Sequence, residues 1–246
     1  MNLLGRLKSG ETHFRGKGCP VHQKESAPAG GITGTTSQPP IEVDVLIVGA
    51  GVSGISMACH LQVAHPQRSF AMLDARGATG GTWDQFRYPG IRSDSDLQTF
   101  GYRFKPWTGN KSLAPGDAIL DYIREAAAEH DVSDRIWTRH KVESADWSSR
   151  DQRWHVLVVN TVSGKTFTVK AGWLATAAGM FSYDTAYIPE FPGRDDFKGT
   201  FLHPQFWPSD LDYAGKKIVV IGSGATAVTL VPAVVDDASH VTMLQR

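Results

Sequence analysis

The feature that most constrains the fold is an apolar segment that leads directly into a glycine-rich turn, and it occurs twice. The first copy is Val43–Val48 followed by Gly49-Ala-Gly-Val-Ser-Gly54. The second is Lys217–Ile221 followed by Gly222-Ser-Gly-Ala-Thr-Ala227. Each apolar run has the β-branched composition of a buried parallel strand, and each turn precedes a segment that we predict to be helical. The layout predicts two βαβ units of an α/β fold.

The first βαβ unit carries the marks of a dinucleotide site. Its helix is predicted to reach about Val63, and its second strand is Phe70–Asp74. In such units the first glycine permits the tight turn, the second lets the backbone approach a pyrophosphate, and the third allows close helix–strand packing. An acid at the end of the second strand can accept hydrogen bonds from a ribose diol; an ordinary strand–turn–helix corner is the alternative. The predicted contact residues are Gly49, Gly51, Ser53, Gly54 and Asp74.

The second unit differs from the first at the end of its second strand. Ala227 occupies the third glycine place, which the fingerprint allows. The strand from His240 ends in Gln245-Arg246 and offers no carboxylate. An arginine there can pair with a 2′-phosphate, so the pattern favours NADPH over NADH, with a plain surface arginine as the alternative. The predicted contacts are Gly222, Ser223, Gly224, Ala225, Thr226 and Arg246.

Composition excludes several classes of function. The 246 residues include 25 basic and 25 acidic side chains, so charge gives no argument for binding nucleic acid or an anionic membrane. The 2 cysteines, Cys19 and Cys59, form no Cys-x-x-Cys pair, so the redox dithiol of a disulfide reductase is absent. The histidines show no metal-ligand spacing, and no apolar run is long enough to cross a bilayer. We therefore predict a cytoplasmic protein without a metal.

The remaining segments predict smaller elements. Residues 1–40 are rich in Gly, Ser, Thr and Pro and lack periodicity, which is typical of a disordered extension. Asp117 is predicted to be the N-cap of a helix that ends near Glu129. The runs Trp154–Val159 and Lys165–Val169 flank a Ser-Gly turn and predict a β-hairpin.

A string between the two glycine turns identifies a family. The segment Phe197-Lys-Gly-Thr-Phe-Leu-His-Pro-Gln-Phe-Trp-Pro208 fits Phe-x-Gly-x-x-x-His-x-x-x-Trp-Pro, and here the chain resembles the type I Baeyer–Villiger monooxygenases, which are related to the flavin-containing monooxygenases. Two further segments, Gly80-Gly-Thr-Trp83 and Arg87-Tyr-Pro-Gly-Ile-Arg-Ser-Asp94, extend the resemblance. Their residues are similar to those of the actinobacterial thioamide-activating branch of the family.

The resemblance implies a cofactor set and a reaction. It implies FAD and NADPH, and the insertion of one oxygen atom from O2 into a ketone, or onto sulfur or nitrogen, through a C4a-peroxyflavin. It implies that Thr82 and Trp83 contact the flavin and that Asp94 lies near the isoalloxazine. It also implies that the residues from Arg92 to Asp94 approach the nicotinamide nucleotide. Asp94, which would hold a downstream arginine, and His203 are the candidate catalytic residues.

Together these patterns predict an α/β fold. Its first part is a Rossmann-like FAD-binding domain over 41–180 with an inserted β-hairpin layer. A linker over 181–214 carries the fingerprint, and 215–246 begins an NADPH-binding Rossmann domain. Because a doubly wound sheet needs more strands than remain, we expect a C-terminally truncated chain.

Two functions remain open on the sequence alone. One is a monooxygenase acting on a small ketone, sulfur or nitrogen compound; the other is an inactive fragment that at most binds flavin. The sequence leaves the oligomeric state open.

Overall fold

The computed structural model describes residues 40–245. The extension predicted before Ile41, with Cys19, and the candidate phosphate ligand Arg246 therefore lie outside the described residues, apart from Pro40. Between residues 40 and 245, no helix combines the length and the apolar character that crossing a membrane requires.

Six strands form one mixed sheet. Its strands are β1 (Ile41–Val48), β2 (Phe70–Asp74), β3 (Ile136–Thr138), β4 (His140–Ser148), β5 (Arg153–Asn160) and β6 (Thr166–Thr176). The spatial order is β3-β2-β1-β6-β5-β4. β1 pairs in parallel with β2 and β6, and β3 pairs in parallel with β2, whereas β4, β5 and β6 are antiparallel neighbours. The predicted strands β1 and β2 and the predicted hairpin β5–β6 are confirmed, while β3 and β4 were not predicted.

Within residues 40–245, five α-helices accompany the strands. They are α1 (Val52–Ala64), α2 (Thr82–Gln85), α3 (Leu97–Phe100), α4 (Gly116–Glu129) and α5 (Ala225–Val234). The prediction that Asp117 caps α4 is wrong, because the helix begins at Gly116 and its N-cap is Pro115. Pro115 supplies the φ of −64° that suits a helix start, and Asp117 lies in the first turn, where the helix dipole favours a carboxylate.

The sheet has a core on each side, because alternate residues of a strand point to opposite faces. On one side α1 and α4 pack on β1 and β2, and the fully buried residues there include Ile47, Ile55, Met72, Ile119 and Ile123. On the other side, residues of β5 and β6 cover the same two strands, in a cluster that includes Leu46, Leu73, Val156, Val158 and Val169. The predicted β-hairpin layer is thus present, and it stays hydrogen-bonded to the parallel strands through β6.

A second, smaller βαβ unit comes after the linker. β7 (Lys217–Ile221) and β8 (His240–Leu244) form a parallel pair, and α5 connects them, as the sequence predicts. The unit packs on the segment between α2 and α3 through a separate apolar cluster that includes Phe86, Tyr88, Leu230 and Val234. The side chains of Val219, Ile221 and Leu244 remain exposed on its other side.

Close helix packing at the first turn depends on Gly54. A Cβ at Gly54 would lie 1.9 Å from the carbonyl oxygen of Gly49, inside any permitted contact. Because the neighbour is a backbone atom, α1 would have to move to admit a side chain.

We expect the substitution Gly54→Ala to destabilise the fold by about 1–3 kcal/mol, the usual cost of overpacking. Alanine is a better helix former than glycine by about 1 kcal/mol, so a stabilised variant would contradict the role of close packing. Thermal unfolding measures the change. Ser53→Ala is the control, because Ser53 is exposed one residue away and should change the free energy of unfolding by less than about 0.5 kcal/mol.

Candidate functional site

The first glycine turn closes against the end of β6. Gly49 has φ +106°, a value that side chains disfavour, and a Cβ there would lie 2.3 Å from the carbonyl oxygen of Ala177. The amide of Ala177 in turn donates to the carbonyl of Val48 at 2.7 Å. The turn is therefore fixed by the strand on one side and by the helix start on the other.

A cleft opens beside this turn, and it gathers three segments that are distant in sequence. A Cβ on Gly51 would lie 3.5 Å from the Cα of Gly81, so the two backbones face each other without side chains. Gly80 is tied to the turn, since its amide donates to the carbonyl of Ala50 at 2.9 Å. The predicted residues Gly51, Ser53, Thr82 and Trp83 all line the cleft, together with Ala177, Gly179, Phe181 and Tyr183.

Asp74 lies at the end of β2, where the sequence predicts an acid, and it is almost fully buried. One carboxylate oxygen accepts the amide of Ala50 at 2.8 Å, and the other accepts the amide of Arg76 at 2.9 Å. Burial raises the pKa of Asp74, while these two amides and the Arg76 charge act in the opposite direction. A carboxylate has about four acceptor positions, so two remain for the hydroxyls of a ribose.

A buried acid that the sequence analysis missed lies next to the cleft. Asp84 is 9% exposed, and its carboxylate oxygens accept from Arg76 at 2.5 Å, Arg87 at 3.0 Å and Arg124 at 2.9 Å. Arg124 also donates to the carbonyl of Thr79 at 3.1 Å. Asp84 thereby joins β2, α4 and the turn that forms one wall of the cleft. The available sequence signal was an acid directly after Gly-Gly-Thr-Trp, with arginines on both sides.

The second glycine turn is more open than the first. Gly222 has φ +119°, and within residues 40–245 no atom outside the adjoining residues lies within 4 Å of a Cβ placed there or on Gly224. Ala225 begins α5, as the fingerprint requires, and the helix carries the predicted Thr226 in its first turn. Ser223 lies in the turn between the two glycines.

A second cavity of about 290 Å³ lies between the segment that precedes α3 and helix α5. It is lined by Arg92, Ser93 and Asp94 on one side and by Ala225, Val228 and Thr229 on the other, with Leu113. Ser93 is buried, its amide donates to the carbonyl of Ala114 at 2.9 Å, and its hydroxyl accepts the amide of Ala114 at 3.1 Å. This anchor leaves Arg92 and Asp94 exposed, so the structure brings both to the second glycine motif.

The same segment contacts the second βαβ unit directly. Gly90 has φ +77°, and a Cβ there would lie 2.4 Å from the carbonyl oxygen of Thr229. The hydroxyl of Tyr88 lies 3.2 Å from that of Thr229. The segment predicted to lie along the flavin therefore also supports α5.

His203 occupies a different place from the other predicted residues. Within residues 40–245, it lines neither cleft. Its Nδ1 accepts the amide of Gln205 at 3.2 Å and caps the short helical turn Pro204–Phe206. Burial lowers the pKa of His203, which favours the neutral ring that this hydrogen bond needs. Trp207, from the same fingerprint, packs edge-on against Tyr213 at 6.0 Å.

Known proteins share this arrangement. The FAD-containing monooxygenase EthA of Mycolicibacterium smegmatis is 57% identical over 204 residues, which are 82% of this chain and 41% of that protein. Oxidized steroid monooxygenase bound to NADP is 30% identical, with a TM-score of 0.71 over 83% of this chain and 39% of that chain. The open crystal structure of cyclohexanone monooxygenase is 26% identical, with a TM-score of 0.72 over 84% of this chain and 40% of that chain.

These similarities confirm the resemblance to flavin monooxygenases and the α/β fold that the sequence predicts. The chain spans about two fifths of the length of the proteins it matches. The family described as pyridine nucleotide-disulphide oxidoreductase matches residues 46–246, which include both glycine turns and the segment between them. The chain belongs to this pyridine nucleotide-disulphide oxidoreductase family.

Proposed function

We propose that this chain binds FAD in the first cleft and NADPH at the second glycine turn, and that it serves an NADPH-dependent flavoprotein monooxygenase. The observation that carries the proposal is the cavity that Arg92 and Asp94 share with Ala225, because it places two charged side chains beside the helix that follows the second glycine turn. The similarity to an FAD-containing monooxygenase and to a steroid monooxygenase bound to NADP supports the same pair of cofactors.

The first cleft suits a dinucleotide diphosphate. Gly51 and Gly81 face each other without side chains, so phosphate oxygens can reach backbone amides at the start of α1. Asp74 retains acceptor capacity for the adenosine ribose, and Thr82 and Trp83 provide a wall for the flavin end. When bound, FAD supplies the oxygen and hydride chemistry, while the protein positions it and excludes water.

The second turn suits a nucleotide that enters from outside. Gly222, Ser223 and Gly224 precede the N-terminus of α5, whose amides and dipole favour phosphate. Arg92 and Asp94 would meet the nicotinamide end, where a cation and an anion can orient its amide and ribose. A role for Arg246 at a 2′-phosphate rests on the sequence alone.

The proposed reaction balances with O2 as oxidant and NADPH as reductant. One oxygen atom enters the substrate, the other leaves as water, and NADPH with one proton supplies the two electrons and two hydrogens. The similarity to cyclohexanone monooxygenase favours a ketone carbonyl, while the similarity to EthA leaves sulfur or nitrogen open. We place Asp94 beside the reacting end of the cofactors and assign His203 a positioning role in the linker.

A first prediction concerns flavin retention. We expect the chain, mixed with FAD and desalted, to keep the absorption of oxidised flavin in the blue. Gly51→Val should abolish this absorption, because the side chain would project toward Gly81 in the cleft. Gly224→Val is the control, since a substitution in the second turn should leave the retention of FAD unchanged. Equal flavin content in both variants would place FAD elsewhere.

Turnover separates the enzyme from a module that only binds flavin. Substrate-dependent oxidation of NADPH by the flavin-loaded chain, with a cyclic ketone or a thioether, would support the monooxygenase. The mass and identity of the product distinguish ester formation from sulfoxidation. Flavin retention without NADPH oxidation would favour the binding module, an alternative that the short span relative to EthA keeps open.

A further prediction concerns Asp74. We expect Asp74→Ala to weaken FAD binding by about tenfold or more, because the ribose would lose a buried acceptor. The variant should also melt earlier, since the buried amides of Ala50 and Arg76 would lose their acceptor.

The control for Asp74 is Asp44→Ala. Asp44 accepts the amide and the hydroxyl of Ser69, both at 2.8 Å, near the opposite end of the β1–β2 pair. This variant should melt earlier and yet bind FAD normally in an equilibrium titration. If the two variants bind FAD equally well, Asp74 has no role in recognising the ribose.

A further inference from the structure

Arg76 has hydrogen-bonding capacity that the fold does not use. Its Nη2 donates to Asp84 at 2.5 Å, but within residues 40–245 its buried Nη1 has no hydrogen-bond partner. A buried guanidinium N–H without an acceptor destabilises the fold, because the group has lost its hydrogen bond to water and has formed no hydrogen bond within the protein. Such a group marks a place where an acceptor is expected.

Tyr183 connects this guanidinium to the first cleft. The Cζ atom of Arg76 lies 5.4 Å from the centre of the Tyr183 ring, and Tyr183 itself lines the cleft. The hydroxyl of Tyr183 lies 4.0 Å from a Cβ placed on Gly81. Within residues 40–245, this hydroxyl makes no hydrogen bond. The ring is therefore held by its contact with the guanidinium and by packing, without a hydrogen bond from its hydroxyl, and a ligand that enters beside Gly81 could displace it.

The charge near Arg76 selects the class of ligand. Asp84 holds the guanidiniums of Arg76, Arg87 and Arg124, and Asp74 is the other carboxylate close to Arg76. Three cations against two anions leave this cluster positive. Burial raises the pKa of Tyr183, so the ring stays neutral and does not offset the charge. A dianionic diphosphate suits such a site better than a neutral ring or a ribose.

We propose that Arg76 is a binding residue for the diphosphate of the dinucleotide in the first cleft, and that Tyr183 moves off its guanidinium when the nucleotide enters. The inference rests on the proposed function, since it takes FAD as the occupant of this cleft. Asp84 acts here as a positioning residue that holds Nη2, so that Nη1 is left for a phosphate oxygen.

The test is a titration of flavin-free protein with FAD at several salt concentrations, read by flavin fluorescence. We expect Arg76→Gln to weaken FAD binding by about tenfold to one hundredfold, the range for a lost charge-assisted hydrogen bond. The variant should also reduce the dependence of FAD affinity on salt, because one charge contact is gone. Arg76→Lys should restore the salt dependence but only part of the affinity for FAD. Lysine keeps the positive charge but lacks the planar guanidinium, which can make two parallel hydrogen bonds.

Arg150→Gln is the matched control, because Arg150 is exposed in the turn between β4 and β5. It should match the unmodified chain in both affinity and salt dependence. The inference is overturned if Arg76→Gln binds FAD as tightly as the unmodified chain does. It is also overturned if the variant lowers the affinity for FAD without changing its salt dependence, because that result indicates a structural role only. If the unmodified chain fails to bind FAD, the proposed function fails first, and the two failures are thus distinguishable.

Discussion

The first glycine turn depends on a close approach between the carbonyl oxygen of Gly49 and the backbone of Gly54, with no side chain between them. Because α1 lies this close to the end of β1, its N-terminal amides face the cleft beside Gly51. The carbonyl of Ala177 closes the other side of Gly49 at a comparable distance. Steric exclusion at two glycines therefore fixes the turn, and the apolar cores on both sides of the sheet hold the strands that carry it.

The segment from Phe86 to Asp94 is the support on which the second βαβ unit packs. Gly90 touches the backbone of α5, Tyr88 approaches Thr229, and Phe86 packs in the cluster that holds the second unit. The same segment ends in Arg92 and Asp94, which line the second cavity beside α5. A ligand that shifts this segment would therefore change both the packing of α5 and the position of two charged side chains.

The sequence predicts the elements whose signals are local. Strand β2, the two glycine turns and Asp74 are predicted by short apolar runs and by fixed spacing, and the structure places them as expected. The sequence analysis did not predict β4 (His140–Ser148), because the strand contains several charged residues and about half of its residues are exposed. Such a composition is typical of an edge strand, and β4 lies at the edge of the sheet. The start of α4 was misjudged because Pro115 and Asp117 are both helix-start signals two residues apart.

Interactions between distant segments could not be predicted in the same way. Asp84 gathers arginines from the end of β2, from its own turn and from α4, and the Arg124 contact spans 40 residues of sequence. The hydrophobic periodicity of a sequence cannot reveal such a contact, because the contact forms only when α4 lies across the turn. His203 is predicted as a motif residue, whereas its hydrogen bond to Gln205 depends on a short helical turn that the sequence pattern does not reveal.

The two glycine turns differ in how tightly they are enclosed. Position 54 admits no side chain, whereas the equivalent place in the second turn holds the methyl group of Ala227, and Gly222 and Gly224 have free space around them within residues 40–245. Enlarging residue 54 would therefore move α1 and the amides at its start, whereas the second turn already accommodates a methyl group at that place.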